Sequence, residues 1–305
     1  MAGGIIGDAY LHTKSIRDLL ERKAQVQKAK DQGTSGLKFT KGRELGGQVV
    51  ITKTLQNEQK VLEGFVEHNK TAVKNRLGAE EMVIRNIHKI ADAFKESLVS
   101  FCDGTAKDPT SFLVGIKQHL KSIEREGNTK VGDSYILGGT ITNVPPFDLS
   151  KVADGIDPAS GVTLDYYNGN SSTGLIAIDK NDNLECDLVG QHPAFEKLIR
   201  ALKIASDPSI VSGDVRTKTA QSLTDEALNE LADLISQVGS KDAGLDTLID
   251  AQNDRILYLS DAYSKIIEAD EAEASNQFMR EQRILSTTYG MMARLNEMSL
   301  ADYLK

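Results

Sequence analysis

The sequence predicts a mainly α-helical protein with a small β insert, in which long helices from both chain ends pair antiparallel as an elongated rod. Three observations lead to this prediction. Apolar residues recur at steps of three, four and seven over long stretches of both halves of the chain, which is the spacing of one helix face. The two longest stretches, 48–101 and 222–305, contain no proline. Between them lies a segment of turn-forming dipeptides and short alternating runs, which indicates strands.

Composition narrows the function classes. The chain has 305 residues, a formal net charge of −8 and no tryptophan, and aromatic residues make up 5% of it. The acidic balance argues against nucleic acid and anionic membranes as partners, because both bind basic surfaces. No apolar run approaches the roughly 18 residues that a membrane span requires. We therefore expect neither a nucleic-acid nor a membrane partner.

The chain start and the cysteines bear on where the protein works. The first residues show no basic segment followed by a long apolar one, so we expect no cleaved secretion signal. This indicates a cytoplasmic protein unless a route without a cleaved signal exports it. Cys102 and Cys186 lack metal-type spacing, and the sequence neither supports nor excludes a disulfide between them.

Residues 1–46 are predicted to form an N-terminal assembly helix and a loop. Residues 10–30 carry a loose apolar stripe, and lysine and arginine dominate the polar side of the same helix. Residues 33–47 are rich in glycine, which indicates a loop or short turns. The apolar stripe consists of Leu11, Ile16, Leu19, Leu20 and Val26.

Residues 47–134 are predicted to form the N-terminal half of a helical rod. Apolar residues repeat at steps of seven through residues 48–101, which predicts one continuous helix. At about 1.5 Å per residue such a helix would exceed about 60 Å, a length typical of a rod. A glycine and a proline end it, and a second helix over residues 110–126 is predicted to turn back.

Residues 135–190 are predicted to form a small β-rich outer domain. The pairs Pro-Pro at 145–146, Asp-Gly at 154–155 and Asn-Gly at 168–169 are turn and hairpin signals. Residues 175–178 read as a short strand between such turns.

Residues 191–270 are predicted to form the C-terminal half of the rod, and residues 271–305 the C-terminal assembly helix. A helix is predicted over residues 193–205 from its apolar stripe. Residues 222–226 (SLTDE) offer capping side chains and acids for a first turn. We therefore predict that the last helical run begins there and continues to the chain end.

The apolar stripe of the last helix continues to the chain end, where no glycine or proline closes it. A helix of this kind needs a covering partner, either in the same chain or in another copy. Its acidic start and the basic N-terminal helix suit antiparallel pairing, although exposed ion pairs contribute only about 0–1 kcal/mol each. We predict that self-assembly uses Leu19, Leu20, Phe278, Leu285, Tyr289, Met292, Leu295, Leu300, Tyr303 and Leu304.

The sequence contains no recognisable catalytic or metal-binding constellation. The five histidines are scattered, and none has metal-ligand spacing. Gly138 and Gly139 lack the frame of a phosphate-binding loop. The paired acids at 80–81 and 225–226 are interpreted as charges on helix surfaces or helix N-termini. We therefore predict a protein that is not an enzyme and that uses neither a metal nor a cofactor.

Several segments, in the right order along the chain, resemble the flagellin family and in particular its hook–filament junction branch. Residues 132–140 (GDSYILGGT) and 144–147 (VPPF) resemble the family segment G-x-Y-L-F-G-G-T…PPF. Residues 166–170 (YYNGN) resemble its Y-x-G-[DN] turn, and residues 267–274 (IEADEAEA) resemble its D-x-D-x-A-E-A segment. The ending 299–304 (SLADYL) is similar to the S-L-x-[DN]-Y-L of the junction branch.

The resemblance implies a structural subunit of the bacterial flagellum at the hook–filament junction, exported through the type III channel. The implied partners are identical subunits, other flagellar axial proteins, the export apparatus and a chaperone that binds the C-terminal helix. The terminal helices would order only on assembly. A filament-forming flagellin and a type III secretion needle-tip protein stay open as alternatives, and an enzyme built into the β insert is the remaining class. The chain departs from the family pattern at residues 39–44, where the usual S-D-D-P-A-x-A is missing.

Overall fold

The computed structural model describes residues 2–39, 46–104, 108–186 and 188–303, with side chains at all of them except 2–9, 11–12, 186 and 295–303. In this part of the chain the helices are α1 (Ala2–Ser35), α2 (Gln48–His68), α3 (Lys74–Cys102), α4 (Pro109–Gly127), α5 (Pro193–Ala205), α6 (Val215–Ile267) and α7 (Glu271–Tyr303). The strands are β1 (Lys130–Val131), β2 (Ser134–Tyr135), β3 (Gly174–Asp179) and β4 (Asp182–Cys186). The prediction of a mainly α-helical chain with a few short strands is confirmed. None of these helices, over the described residues, is long and apolar enough to cross a membrane.

The chain divides into two compact units. The first, called the terminal unit, combines both ends of the chain and comprises Met1–Val61 and Asp254–Lys305. The second, called the central unit, comprises Leu62–Asn253. Most of the buried apolar side chains that the structure describes belong to the central unit.

The central unit has an extensive apolar core. α3 buries the face that the seven-residue periodicity predicts, and α4 packs against it through residues such as Phe112 and Ile116. α5 also packs on α4, and its apolar stripe is buried from Ala194 to Ala205. The buried residues of α3 are Leu77, Glu80, Val83, Ile84, Ile87, Ala91, Phe94, Leu98 and Phe101.

A π turn, Asn69–Val73, interrupts the single helix that the sequence predicts over residues 48–101. Asn69 is fully buried there, and its side-chain amide donates to the Ile178 carbonyl of β3 and to Oε1 of Gln252. The Gln252 amide donates to the same carbonyl at 3.0 Å. These bonds fasten the β3–β4 hairpin to two helices that are distant in sequence. The apolar periodicity gives no sign of such a contact, so the π turn was not predicted.

The β insert contains fewer strands than its turn signals suggest. β1 pairs with β2, and β3 forms an antiparallel hairpin with β4, which confirms the short strand predicted at residues 175–178. The Pro-Pro, Asp-Gly and Asn-Gly pairs lie instead in irregular loops. Side chains supply part of the hydrogen bonding in these loops, since Asn128 both accepts from the Phe147 N–H and donates to its carbonyl, each at 2.9 Å.

α6 begins at Val215, ahead of the start that residues 222–226 predict. The start is fixed by Asp214, whose carboxylate accepts from the Thr217 N–H at 2.8 Å. Asp225 and Glu226 therefore lie inside the helix, where they form ion pairs with Lys95 and Lys197. Their predicted position at a helix N-terminus is wrong.

Two further details of the helices differ from the predictions. Glu80 was interpreted as a helix-surface acid, but its side chain is buried and accepts from Arg76 Nε at 3.1 Å. The long C-terminal helix predicted to run unbroken to the chain end is divided, because α6 ends at Ile267 and α7 begins at Glu271.

Candidate assembly surface

α1 and α7, the helices at the two chain ends, pack against each other in the terminal unit. Arg22 of α1 lies beside Glu281 of α7, with 3.5 Å between Nη1 and Oε2. Just beyond α1, Leu37 forms an antiparallel bridge with Glu268, which precedes α7. Rising residue numbers on one side therefore meet falling numbers on the other, so the two helices run antiparallel.

The facing sides of α1 and α7 form a thin seam. Among the described side chains of the two helices, only Ala29 and Ala274 are buried. The other seam residues are only partly covered, so the pair buries little apolar surface. They include Leu19, Arg22 and Val26 in α1, and Phe278, Glu281, Leu285, Thr288 and Met292 in α7.

The structure divides the predicted self-assembly residues between the seam and the outer surface. Leu20 and Tyr289 point away from the seam, with 61% and 48% of their surface exposed. The side chains of Leu295, Leu300 and Tyr303 lie in the part of α7 whose side chains are not described, and Leu304 lies outside the described residues. Leu19, Phe278, Leu285 and Met292 are the partly covered seam members.

The terminal unit exposes further large apolar side chains to which the sequence prediction assigns no part in assembly. In α1 these include Ile16, which the prediction had placed in the N-terminal stripe without assigning it to assembly. Elsewhere they lie off the main stripes, where an isolated apolar residue gives no periodic signal. The members besides Leu20 and Tyr289 are Tyr10, Ile16, Leu37, Val50, Ile51, Val61, Leu257, Tyr258, Met279 and Met291.

Charge contributes little inside the α1–α7 pair. In the described part of the two helices, Arg22 and Glu281 form the one ion pair across the seam. The side chains are 42% and 13% exposed, so this pair is worth at most about 1 kcal/mol. The basic residues of α1 and the acidic start of α7 otherwise face solvent.

Three helix ends meet where α1 and α6 stop and α7 begins, at residues 32–38 and 265–273, called here the three-helix junction. The Lys38 N–H donates to the Ile267 carbonyl at 2.6 Å, and the Ala269 N–H donates to the Gly36 carbonyl at 2.8 Å. The Lys38 ammonium donates to the Lys265 carbonyl at 2.9 Å. The segment after α1 thus supplies partners for carbonyls at the end of α6, which have none inside the helix.

The ends of α1 and α7 at this junction are capped as well. Gly36 has a φ of +67°, the left-handed conformation that commonly ends a helix, and its N–H donates to the Gln32 carbonyl. The Asp270 carboxylate accepts from the N–H groups of Ala272 and Glu273, at 2.9 and 3.1 Å. All three helix ends therefore find polar partners within the junction.

The C-terminal part of the chain matches a known family. Residues 222–304 match the family described as the bacterial flagellin C-terminal helical region. This part of the chain belongs to the flagellin family. This confirms the resemblance inferred from the sequence. No curated protein matches the chain in a sequence comparison.

Solved structures show that the fold of this chain resembles that of hook-associated proteins. A flagellar hook-associated protein from Vibrio parahaemolyticus superposes with a TM-score of 0.60 at 13% identity, covering 72% of this chain and 97% of that one. FlgL from Bacillus cereus gives a TM-score of 0.55 at 18% identity, with 70% and 98% covered. Flagellar hook-associated protein-3 from Legionella pneumophila gives 0.54 at 13%, with 72% and 99% covered.

Three of the segments that carry the flagellin resemblance come together in the central unit. The Tyr167 hydroxyl donates to the carbonyl of Leu137 at 2.9 Å, and the Tyr166 hydroxyl donates to that of Gly190. Gly139 has a φ of +67°, and a Cβ there would overlap Asn170. The GGT, PPF and YYNGN segments thus form one cluster of glycines and aromatic rings, called here the aromatic cluster. The spacing of the three segments in the sequence does not predict these contacts.

The side chains of the aromatic cluster hold the fold together through hydrogen bonds and ring packing. Burial raises the pKa of the Tyr166 phenol far above its usual range, so it stays neutral and serves as a hydrogen-bond donor. The Phe147 ring packs edge-on against Tyr166 and Phe195, which ties the PPF segment to α5. Elsewhere in the described part of the chain, no three His, Cys, Asp or Glu side chains come together as a metal site would require. Cys102 is a free thiol.

Proposed function

We propose that this flagellin-family chain is a structural subunit of the bacterial flagellum at the hook–filament junction, that it is not an enzyme, and that it assembles through α1 and α7. The observation that carries the proposal is the terminal unit, where two chain-end helices share a thin seam and leave many apolar side chains uncovered. The hook-associated proteins that share the fold support the position at the junction.

Energetics favour ordering of the terminal helices by neighbouring subunits. Fixing the backbone of each residue costs about 1–2 kcal/mol of conformational entropy, and helices are stabilised in proteins chiefly by packing of an apolar face. The seam buries only Ala29 and Ala274 among the described side chains of α1 and α7. Exposed residues such as Leu20, Tyr289 and Met291 would supply the missing burial when another copy covers them.

The same surface accounts for the other proposed partners. Identical subunits and other axial proteins would cover the exposed apolar residues of the terminal unit in the assembled flagellum. Contacts between a surface and a different surface of the next copy build an open helical structure when the rotation between copies does not close a ring. Before assembly, the type III export apparatus would carry the chain to the cell exterior, and a chaperone would shield α7.

Deletion of residues 294–305 tests the proposal. The truncated protein is expected to stay soluble, with the central unit folded, and to lose assembly because part of α7 is gone. Circular dichroism reports the fold, and sedimentation with electron microscopy reports assembly. Truncated protein that still assembles, or that restores motility to cells lacking the full chain, would contradict the role of α7.

A matched pair of leucine variants separates the proposed surface from general surface hydrophobicity. Leu20 of α1 and Leu175 of β3 are 61% and 63% exposed, and they lie in different units. Leu20→Ser is expected to weaken assembly at least severalfold, whereas Leu175→Ser should leave it unchanged. Equal loss from both variants would argue against a dedicated surface on the terminal unit.

A filament-forming flagellin is the second candidate, because the matched family region is that of flagellin itself. The same match favours either flagellar role over a type III needle-tip protein. Electron microscopy under polymerising conditions distinguishes the two flagellar roles. Long tubes of purified protein would indicate a filament subunit, and short caps would favour the junction.

A further inference from the structure

We propose that the three-helix junction is the fixed point from which α1 and α7 pair, and that it sets their register before the seam closes. The inference rests on the proposed function, since it describes how the assembly helices become ordered. It follows from a difference in bonding between the junction and the seam.

The junction is held by directed backbone bonds. Lys38 and Ala269 donate their N–H groups to Ile267 and Gly36, and the Gln32 amide donates to the Lys38 carbonyl at 2.6 Å. Backbone bonds of this type fix one residue opposite one other residue, as the Leu37–Glu268 bridge does. A slip by one residue would break all of them together.

The seam cannot set the register equally well. Its buried members, Ala29 and Ala274, are small, and the larger seam residues are only partly covered. Arg22 and Glu281 are the polar pair that could favour one register, but their single contact is partly exposed. Small, half-covered side chains at steps of three and four tolerate shifted alignments, because each shift presents a similar surface.

The junction also changes the entropy of pairing. Lys38 and Lys265 are 227 positions apart in sequence, so bringing α1 to α7 would otherwise require closing a very long loop. Once the junction is formed, the C-terminal end of α1 lies at the N-terminal start of α7. Pairing of the seam then resembles closing a helical hairpin, in which each turn formed brings the next turns together.

The local sequence stabilises the junction by itself. Gly36 adopts its positive φ without a steric penalty, and the Asp270 carboxylate lies at the start of α7, where a negative charge is favoured. Neither residue depends on contacts in the seam. The junction can therefore remain formed in a free subunit whose α1 and α7 are unpaired.

Two proline variants test the proposal. Ala269→Pro removes the N–H that bonds to Gly36, at a position between α6 and α7 where a proline breaks neither helix. Glu271→Pro is the matched control, because it places proline at the first position of α7, where helices tolerate it. Lys38→Met is a milder variant that removes only the ammonium contact with the Lys265 carbonyl.

Hydrogen exchange of the free subunit gives the first readout. The Lys38 amide is expected to exchange at least tenfold more slowly than amides in the middle of α1. Ala269→Pro should remove most of this protection and lengthen the lag of assembly severalfold, while Glu271→Pro behaves as the wild type. Lys38→Met should produce a smaller change in the same direction. Circular dichroism checks that the central unit of each variant is folded.

The outcomes separate the junction from the proposed function. A Lys38 amide that exchanges as fast as the rest of α1, in a protein that assembles, would overturn the junction alone. Ala269→Pro protein that assembles without a longer lag would do the same. Wild-type protein that does not assemble would overturn the proposed function. The proposed role of the junction in assembly would then fail as well.

Discussion

The central and terminal units are built from helices of the same kind of sequence but are covered to very different degrees. In the central unit, α3 buries Phe94 and Leu98 completely, and neighbouring helices of the same unit cover them. In the terminal unit, Leu259 is the one large apolar side chain that is buried among those described. An apolar stripe thus indicates that a helix packs against a partner. It does not indicate whether that partner lies in the same chain or in another copy. The contrast predicts that substitutions of the same type act differently in the two units.

A pair of Phe→Ala substitutions should give the largest difference between the units. Phe94 has no exposed surface, so Phe94→Ala is expected to lower the free energy of unfolding by about 3–5 kcal/mol. Phe278 is partly covered in the seam, and Phe278→Ala should cost about 1 kcal/mol or less in the free subunit. Urea denaturation followed by circular dichroism measures both.

Measuring assembly instead of unfolding tests the same comparison. Phe278→Ala is expected to impair assembly more than its small effect on unfolding suggests, because neighbouring copies complete the burial of the seam. If Phe278→Ala destabilised the free subunit as much as Phe94→Ala, the terminal unit would be an ordinary independent core and the comparison would fail.

The sequence predicted the covered faces better than the places where helices start, stop or bend. The α3 stripe was predictable because its apolar residues repeat with the helix period and a proline-free run surrounds them. The π turn was not, because it depends on Asn69 meeting Ile178 and Gln252 across the fold. The start of α6 was missed because Asp214 caps it in an inconspicuous context, whereas Ser222 and Thr224 resemble a cap.

For the assembly surface, the sequence predicted the helices and left the roles of single residues open. Leu19 and Leu20 are neighbours about 100° apart around α1, and one lies in the seam while the other is exposed. A loose stripe contains both, so periodicity alone does not distinguish a contact within the chain from one with another copy. The junction was equally hidden, because its bonds are mostly between backbone groups.

A pair of Gly→Ala substitutions should have an intermediate effect. A Cβ at Gly190 would overlap the rings of Phe147 and Tyr167, so Gly190→Ala is expected to cost about 1–3 kcal/mol in the central unit. Gly290 lies within α7 with open space around it, and Gly290→Ala should favour the helix by up to about 1 kcal/mol. Thermal unfolding measures the first, and the helix content of the free subunit measures the second. If Gly190→Ala stabilised the protein, the aromatic cluster would have to be loosely packed around this position.

Removing a helix cap in each unit should have the smallest effect on stability. For Asp108, the effect should also depend on pH. The Ser111 hydroxyl, followed by the Thr110 N–H, holds the pKa of Asp108 below its ordinary value at the start of α4. A lowered pKa means that the folded state favours the carboxylate, so the stabilisation is present above the ordinary value and is lost as the pH falls through the lower folded value. Asp108→Ala should therefore lower the unfolding midpoint at neutral pH, and the difference from the wild type should shrink in strong acid.

Asp270→Ala removes the corresponding cap of α7, where the carboxylate accepts from Ala272 and Glu273. Because the terminal unit contributes little to the buried core, this variant should leave the unfolding midpoint of the free subunit almost unchanged and slow assembly instead. Asp108→Asn is the control, since asparagine caps a helix about as well without titrating. A midpoint that falls equally for Asp108→Ala and Asp270→Ala would show that α7 is already part of the cooperative fold before any neighbour covers it.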